Sequence, residues 1–415
     1  MRTVVRGGSV FDGTGAAPAV ADVAIEGGRI AEVGVGLDGD DQVDAHGLSV
    51  LPGLFDCHVH TVVSGGDLAG LAYRPFSYQF FEAARNLRAT LDAGITTVRD
   101  AAGADLGIKR AAEDGLIDGP RVHIAISALS QTGGHYDGWQ PSGLQLTPVL
   151  PHPGRPSGVA DGPEAVRREA REIIRAGADV LKVCVSGGIM SSRDHPEHAQ
   201  LRPDELAVIV AEAEAVELKV MAHAHSADGV KAALRAGVRS IEHGTLLDDE
   251  AIELMLRSDA WLVPTLLVHD FLQRAATSGA PLPPGAVEKL AWATEAHHDS
   301  VARAVAAGVK VAMGTDSGVV PHGNNLDELA LLTGVGLSPE RALSAATSEA
   351  ARLLGVADEL GTLEPGKRAD LVLVHGDALD LADLKPRIRA VYMNGRRVRY
   401  AAGDHGRHET DAASP

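Results

Sequence analysis

Three regions with different spacing of apolar residues follow one another along the chain. Near the N-terminus, residues 4–10, 22–26 and 30–33 are short runs of strand character, separated by Gly7-Gly8, Gly13, Gly27-Gly28 and Gly36. Runs of this kind between glycine breaks predict β-strands joined by turns. The C-terminal stretch repeats the pattern. Residues 369–374 and 390–393 are apolar, and Asn394-Gly395 before 396–398 is a hairpin signal, because both residues tolerate the positive φ of a two-residue turn. Two β-rich ends around a different middle predict a small discontinuous β-sandwich domain, built from 1–52 and 361–400. The polar tail, 401–415, is expected to be disordered.

The middle alternates strand-like apolar runs with Ala-rich helical stretches. A short signature recurs at Ala93-Gly94, Ala176-Gly177, Ala236-Gly237 and Ala307-Gly308, each closing a helical pattern before an apolar run. Glycine just past a helix adopts the left-handed conformation and turns the chain into the next strand. Strands are predicted at 49–55, 96–99, 121–127, 180–185, 219–222, 240–241, 261–266 and 310–313. Eight helix-linked strands predict an α/β fold, a (β/α)8 TIM barrel over 53–360. Asp161 to Glu164 reads as a capping box, and Ser338-Pro339-Glu340 as an N-cap for a helix ended by Gly355. The long Gly/Pro/Ser-rich stretch at 128–160 follows the third strand, on the face where barrel active sites lie.

Composition narrows the partners. The chain has 415 residues, enough for a large core, but only 3% aromatics, so Ala, Val, Leu and Ile must do most of the packing. A net charge of −18 argues against nucleic acid and anionic membrane as partners. Cys57 and Cys184 alone cannot form a disulfide framework and suit a reducing compartment. There is no run of ~18 apolar residues and no signal-peptide core, so the expectation is a soluble, cytoplasmic protein.

Candidate chemistry gathers at the ends of the predicted barrel strands. The first ends in Asp56-Cys57-His58-Val59-His60. Side chains at i and i+2 share one side of a strand, so His58 and His60 can hold one metal. The alternative is two unrelated histidines among the 18 in the chain. Lys182 lies inside an apolar run, where an ammonium is costly. It could snorkel, pair with a carboxylate, or lose its charge by reacting with carbon dioxide to give a carbamate able to bridge two cations. From this residue alone a structural salt bridge is the simpler reading. The fifth strand leads into His223-Ala224-His225, the sixth into Glu242-His243, and the eighth into Asp316. Histidines, a lysine and an aspartate at five strand ends make the composition a binuclear hydrolytic site needs.

These residues sit in recognisable motifs. PGLFDCHVH (52–60), LKV (181–183), HAHS (223–226), IEHGT (241–245), GTDSG (314–318) and GTLEPGKRADLVLV (361–374) resemble the amidohydrolase superfamily over almost the whole chain. TTVRDAAG (96–103) and SQTGGHYDG (130–138) are similar to its imidazolonepropionase-like branch of prolidases and Xaa-dipeptidases. The resemblance implies two divalent metal ions, usually zinc. His58 and His60 would bind the first and His223 and His243 the second, with carboxylated Lys182 as bridge. Asp316 would bind the first ion and handle protons, and His135 would contact the substrate carbonyl. The implied activity is hydrolysis of an amide bond in a small molecule, such as a dipeptide or N-acyl amino acid, by a metal-bridging hydroxide. Relatives often assemble into homo-oligomers.

Other positions carry weaker expectations. His225, Arg193, His322 and Asn324 are expected to line the substrate pocket. Asp56 is expected to orient a ligand histidine, the alternative being a cap on the strand end, and Arg99 to pair with Asp100 beneath the pocket, the alternative being an exposed loop pair. Cys57 and Cys184 read as small buried packers. His195, His198, His297, His298, His405 and His408 read as solvated. The alternative functions are a mononuclear deaminase or cyclic-amide hydrolase, an esterase, lactonase or mycotoxin amidase, and a non-catalytic scaffold.

Overall fold

A computed structural model describes residues 1–65, 73–147, 149–191, 193–280, 282–283 and 285–400. The N-terminal strands are β1 (Arg2–Val10), β2 (Ala19–Glu26), β3 (Arg29–Gly34), β4 (Asp41–Asp44) and β5 (Leu48–Pro52). The middle then runs β6 (Leu54–Val59), α1 (Tyr78–Asp92), β7 (Ile95–Asp100), α2 (Leu106–Glu113), β8 (Arg121–Ile124), β9 (Ala128–Leu129) and α3 (Pro163–Arg175). It continues through β10 (Val180–Cys184), α4 (Pro203–Glu214), β11 (Lys219–Ala224), α5 (Ala227–Ala236), β12 (Ser240–His243), α6 (Asp249–Ser258) and β13 (Trp261–Val263). After these come α7 (Leu266–Thr277), α8 (Ala286–Ala307), β14 (Lys310–Val311), α9 (Asp327–Gly334), α10 (Pro339–Ala345) and α11 (Ser348–Leu354). The chain closes with β15 (Leu371–His375), α12 (Leu384–Arg387), β16 (Ile388–Met393) and β17 (Arg396–Tyr400).

The two ends of the chain share one eight-stranded sheet, ordered β17-β16-β15-β5-β1-β2-β3 with β4 against β1. The seam between them is the antiparallel pair β5–β15, with Leu51 opposite Val372. Val5, Val23, Ile30, Val50, Leu371 and Leu373 form an apolar cluster belonging to this sheet. Asn394 and Gly395 take φ of 48° and 73° and turn β16 into β17, as the hairpin signal predicts.

The middle is α/β with parallel strands. One sheet is ordered β14-β13-β12-β11-β10-β9 and the other β6-β7-β8. Backbone hydrogen bonds continue across both gaps between them. Cys57 N donates to Met313 O (2.8 Å) and Asp316 N to His58 O (2.8 Å) on one side, and Asp179 N donates to Ile124 O (2.8 Å) on the other. The strand ends carrying His58 and Asp316 are thereby fixed side by side.

Several local expectations are corrected. The predicted strand 49–55 is broken at Gly53, so β5 joins the terminal sheet and β6 the parallel one. A Cβ at Gly53 would stand 2.2 Å from Thr96 Oγ1, which excludes a side chain where the chain changes sheets. The strand predicted at 121–127 stops at Ile124, and Ile126 takes φ of 65°. Asp161 does not cap α3. Its carboxylate accepts from Thr132 N (3.0 Å) and Thr132 Oγ1 (2.6 Å), while Gly162 occupies the cap position without a side-chain bond. Ser338 does cap its helix, accepting from Arg341 N (3.3 Å), but the helix ends at Ala345 and Gly355 closes α11 instead. The helix-ending glycines 94, 177, 237 and 308 all have φ between 83° and 100°, as predicted. The tail at 401–415, with His405 and His408, lies outside the described residues. Among the described residues no helix is long and apolar enough to cross a membrane.

Candidate metal centre

Two groups of donors converge where the parallel strands end. In the first, ligand-type atoms of His58, His60 and Asp316 lie within 4.8 Å of one another. Asp316 follows β14 with φ of 57°, a left-handed conformation that a non-glycine residue keeps only when its surroundings impose it. Its Oδ1 is 3.3 Å from His60 Nε2 and 3.7 Å from His58 Nε2. The other ring nitrogens are tied down. His58 Nδ1 lies 2.8 Å from Glu242 Oε2, and His60 Nδ1 lies 2.8 Å from Ala102 O. Because carbonyl and carboxylate oxygens only accept, both rings carry a proton on Nδ1 and turn Nε2 towards Asp316, whose charge outweighs burial and raises the His60 pKa. Burial works against the Asp316 carboxylate, but His60, His58 and Lys182 outweigh it and hold its pKa well below the usual range.

In the second group, His223, His225 and His243 likewise bring donor atoms within 4.8 Å. His225 Nδ1 is 2.7 Å from Thr245 Oγ1 and His243 Nδ1 is 2.6 Å from Thr265 Oγ1. His223 is turned the other way, with Nε2 3.3 Å from Gly187 O. Burial, reinforced by the neighbouring rings, pushes all three pKa values well below 6.5 and keeps the imidazoles neutral. The His58 and His243 rings, 5.2 Å apart, join the two groups. Lys182, on β10, is 4% exposed and makes no hydrogen bond or ion pair among the described residues. Burial lowers its pKa, against the pull of Glu242 and Asp316.

The donor set fits divalent metal ions. Neutral imidazoles with one nitrogen tethered and the other free are the form that ligates. Asp316 Oδ1 is buried without a hydrogen-bond partner, an unsatisfied anionic acceptor beside the Nε2 atoms of two imidazoles. A cation between them would satisfy all three.

The scaffold behind the first group differs from the expectation. Arg99 pairs with Glu242 (2.9 Å), Ser240 Oγ (3.1 Å) and Cys57 O (2.7 Å), and not with Asp100. Asp100 instead accepts from Thr61 N and Oγ1, both at 2.8 Å, and from Ala102 N and Ala104 N. Asp56 touches no imidazole. It accepts from His58 N (3.1 Å), Thr315 Oγ1 (2.6 Å) and Asn325 Nδ2 (2.7 Å), tying β6 to the chain after β14. The carboxylate that orients a ligand-type histidine is Glu242, whose position just before His243 was its only sequence signal. Arg99 and His58 overcome its burial and hold its pKa at about 2.

The other predicted residues are divided. The His135 ring stacks on His223, with centroids 4.0 Å apart and planes 7° apart, so the long loop does reach the centre. His225 stands inside the second group and stacks on His243 (4.9 Å), which puts a third imidazole among the donor-type side chains there. His322 is engaged behind β6, with Nδ1 3.2 Å from Thr90 Oγ1 and Nε2 3.2 Å from His60 O, so its ring supports the chain at His60. Arg193 donates to Asp137 O and lies over the Trp139 ring (5.6 Å), clasping two loops together. Asn324 is half-buried beside the fully buried Asn325. His297, expected to be solvated, is fully buried with Nε2 2.9 Å from His243 O, whereas His298 is half-exposed beside Asp270. Cys57 and Cys184 are buried free thiols, and burial pushes both pKa values up to about 12.

Comparison with known proteins places this geometry in context. Residues 49–398 match the model of the Amidohydrolase family. The ochratoxinase of Aspergillus niger is 38% identical over 349 residues, covering 80% of this chain and 71% of that protein. An imidazolonepropionase of Rhizorhabdus wittichii is 28% identical over 391 residues, covering 85% and 87%. A solved Xaa-Pro dipeptidase with methionine bound in its active site superposes with a TM-score of 0.87 at 31% identity, covering 96% of this chain and 99% of that one.

Proposed function

The chain belongs to the amidohydrolase family, and from that premise we propose that it hydrolyses an amide bond in a small substrate, such as a dipeptide or N-acyl amino acid, at a centre of two zinc ions. It is a hydrolase acting on carbon–nitrogen bonds. In this reading the parallel strands of 53–360 form a (β/α)8 barrel, and 1–52 with 361–400 form a β-sandwich beside it. The observation that carries the proposal is the convergence of two donor groups around an unsatisfied Asp316 Oδ1, with an unpartnered Lys182 among the same strand ends.

His58, His60 and Asp316 would hold one ion, and His223 and His243 the other. Lys182 would add a carbamate ligand, its nitrogen bonding the carbon of carbon dioxide and releasing a proton. Burial lowers the Lys182 pKa and so favours the free amine this addition needs. Bound zinc ions supply Lewis acidity and a water acidic enough to attack at neutral pH. Asp316 takes the proton of the attacking water and returns it to the leaving nitrogen. His135, stacked over His223, faces the carbonyl oxygen as charge builds there.

The test is a panel of dipeptides, N-acyl amino acids and ochratoxin, the last added because of the ochratoxinase relative, with chelator-stripped protein reconstituted in zinc and bicarbonate. Hydrolysis that returns with two zinc ions per chain supports the proposal. A protein carrying both ions that cleaves no amide overturns it, and activity with one ion per chain moves the reading to a mononuclear hydrolase.

A further inference from the structure

We propose that Lys289, Ser191 and Asp194 form a positioning relay that holds the His135 ring in place over the metal centre. The inference rests on the role proposed above for His135. Lys289 lies in the first turn of α8, only 8% exposed. Its ammonium donates to three carbonyls of one loop, Gly188 O (2.9 Å), Ser191 O (2.6 Å) and Asp194 O (2.7 Å), with Asp194 Oδ1 at 3.9 Å. An ammonium has three donors and is expensive to bury unless each is used. Satisfying all of them fixes Gly188, Ser191 and Asp194 relative to one another and to α8.

The loop in turn grips His135. The Asp194 carboxylate accepts from Gly188 N (3.2 Å), from Gln200 Nε2 (3.1 Å) and from the Ser191 hydroxyl. Ser191 Oγ lies 3.2 Å from His135 Nδ1, so the hydroxyl links the imidazole to the carboxylate. Gln200 Oε1 accepts from His135 N (3.0 Å), which ties the backbone to the same network. A Cβ at Gly188 would come within 2.1 Å of the His135 ring, so the loop also forms a close-fitting floor under it. Nδ1 is thus held by the relay, its N–H donated to Ser191 Oγ, leaving Nε2 as the one available to substrate, where it donates when the ring carries its second proton. The same loop supplies Gly187 O to His223, so a single buried cation orders the surroundings of both stacked rings.

The experiment compares Ser191→Ala, Ser191→Thr, Lys289→Met and His135→Ala in the full-length, zinc-loaded protein. It reads kcat and KM separately, zinc content, and the His135 ring position in a crystal structure of Ser191→Ala. Ser191→Ala should lower kcat about 10–100-fold, the usual cost of losing a partner behind a functional histidine, with KM little changed and both zinc ions retained. Lys289→Met should act in the same direction. Ser191→Thr, which keeps the hydroxyl, should recover most of the rate, and this pair carries the test if Lys289→Met does not fold. In the Ser191→Ala crystal structure His135 should leave its stack on His223. An unmoved ring, wild-type kcat in Ser191→Ala, or no advantage of Thr over Ala overturns the relay. If His135→Ala loses activity while Ser191→Ala does not, only the relay fails. If His135→Ala keeps full activity, the proposed role of His135 fails and the relay with it.

Discussion

Behind His58 stands buried charge, with Glu242 on its Nδ1 and Arg99 on Glu242. Behind His225 and His243 stand the hydroxyls of Thr245 and Thr265, and behind His223 a backbone carbonyl. The first donor group includes a carboxylate and the second only neutral rings. The same ligand geometry is therefore maintained in two ways. The charged scaffold is strong when complete and costly when broken, because removing one member strands the other in a dry interior. The hydroxyl scaffold is weaker per contact but leaves little behind when cut.

The sharpest way to break this comparison is Asp316→Asn, which deletes the one anion among the six clustered donors. Turnover should fall by about 10²–10⁴-fold, the scale of a lost general base, with the far-UV circular dichroism unchanged. Near-normal activity would refute its role. Next in size is Glu242→Gln, which leaves Arg99 without its counter-charge. It should lower stability by about 3–5 kcal/mol, measured by urea unfolding of the metal-free protein; a loss no larger than that from Thr265→Val would show that the two scaffolds are not different. Thr265→Val should act instead on metal affinity, by about tenfold, visible in competition with a zinc chelator.

The smallest effect is in acid. The second-group histidines have folded pKa values below 6.5, so the unfolded chain takes protons first and stability is lost as pH falls below 6.5. Glu242, lowered from 4.5 to about 2, contributes stability that is complete above 4.5 and lost as pH falls towards 2. Metal-free protein should therefore lose stability in two windows, and Glu242→Gln should shrink the lower one to the share that Asp316 keeps while leaving the upper one in place. A single window in the wild type would contradict the contrast.

Much of the candidate site was legible in the sequence because strand ends are local features. The i, i+2 spacing of His58 and His60, the single lysine in the apolar run 180–185, and Asp316 after the last strand each needed only a strand and its direction. The partners behind them were not legible. Arg99 and Glu242 are 143 residues apart, and nothing near Arg99 marks Glu242 as its partner in place of the adjacent Asp100. His297 looked like one of a solvated pair, since adjacency to His298 says nothing about which face of α8 each residue takes. Asp161 showed the reverse error: a correct local capping pattern was overruled by a tertiary bond to Thr132.

The sequence by itself determined the two β-rich ends, the helix-closing glycines and the kinds of donor at the strand ends, because each depends on a few neighbouring residues and the backbone conformations open to them. The tertiary structure alone decided which nitrogen of each ring is free, which carboxylate backs which histidine, and that His135 lies on His223. Those depend on the side-by-side placement of strands and loops far apart in the chain, where a fraction of an ångström separates a hydrogen bond from an empty contact.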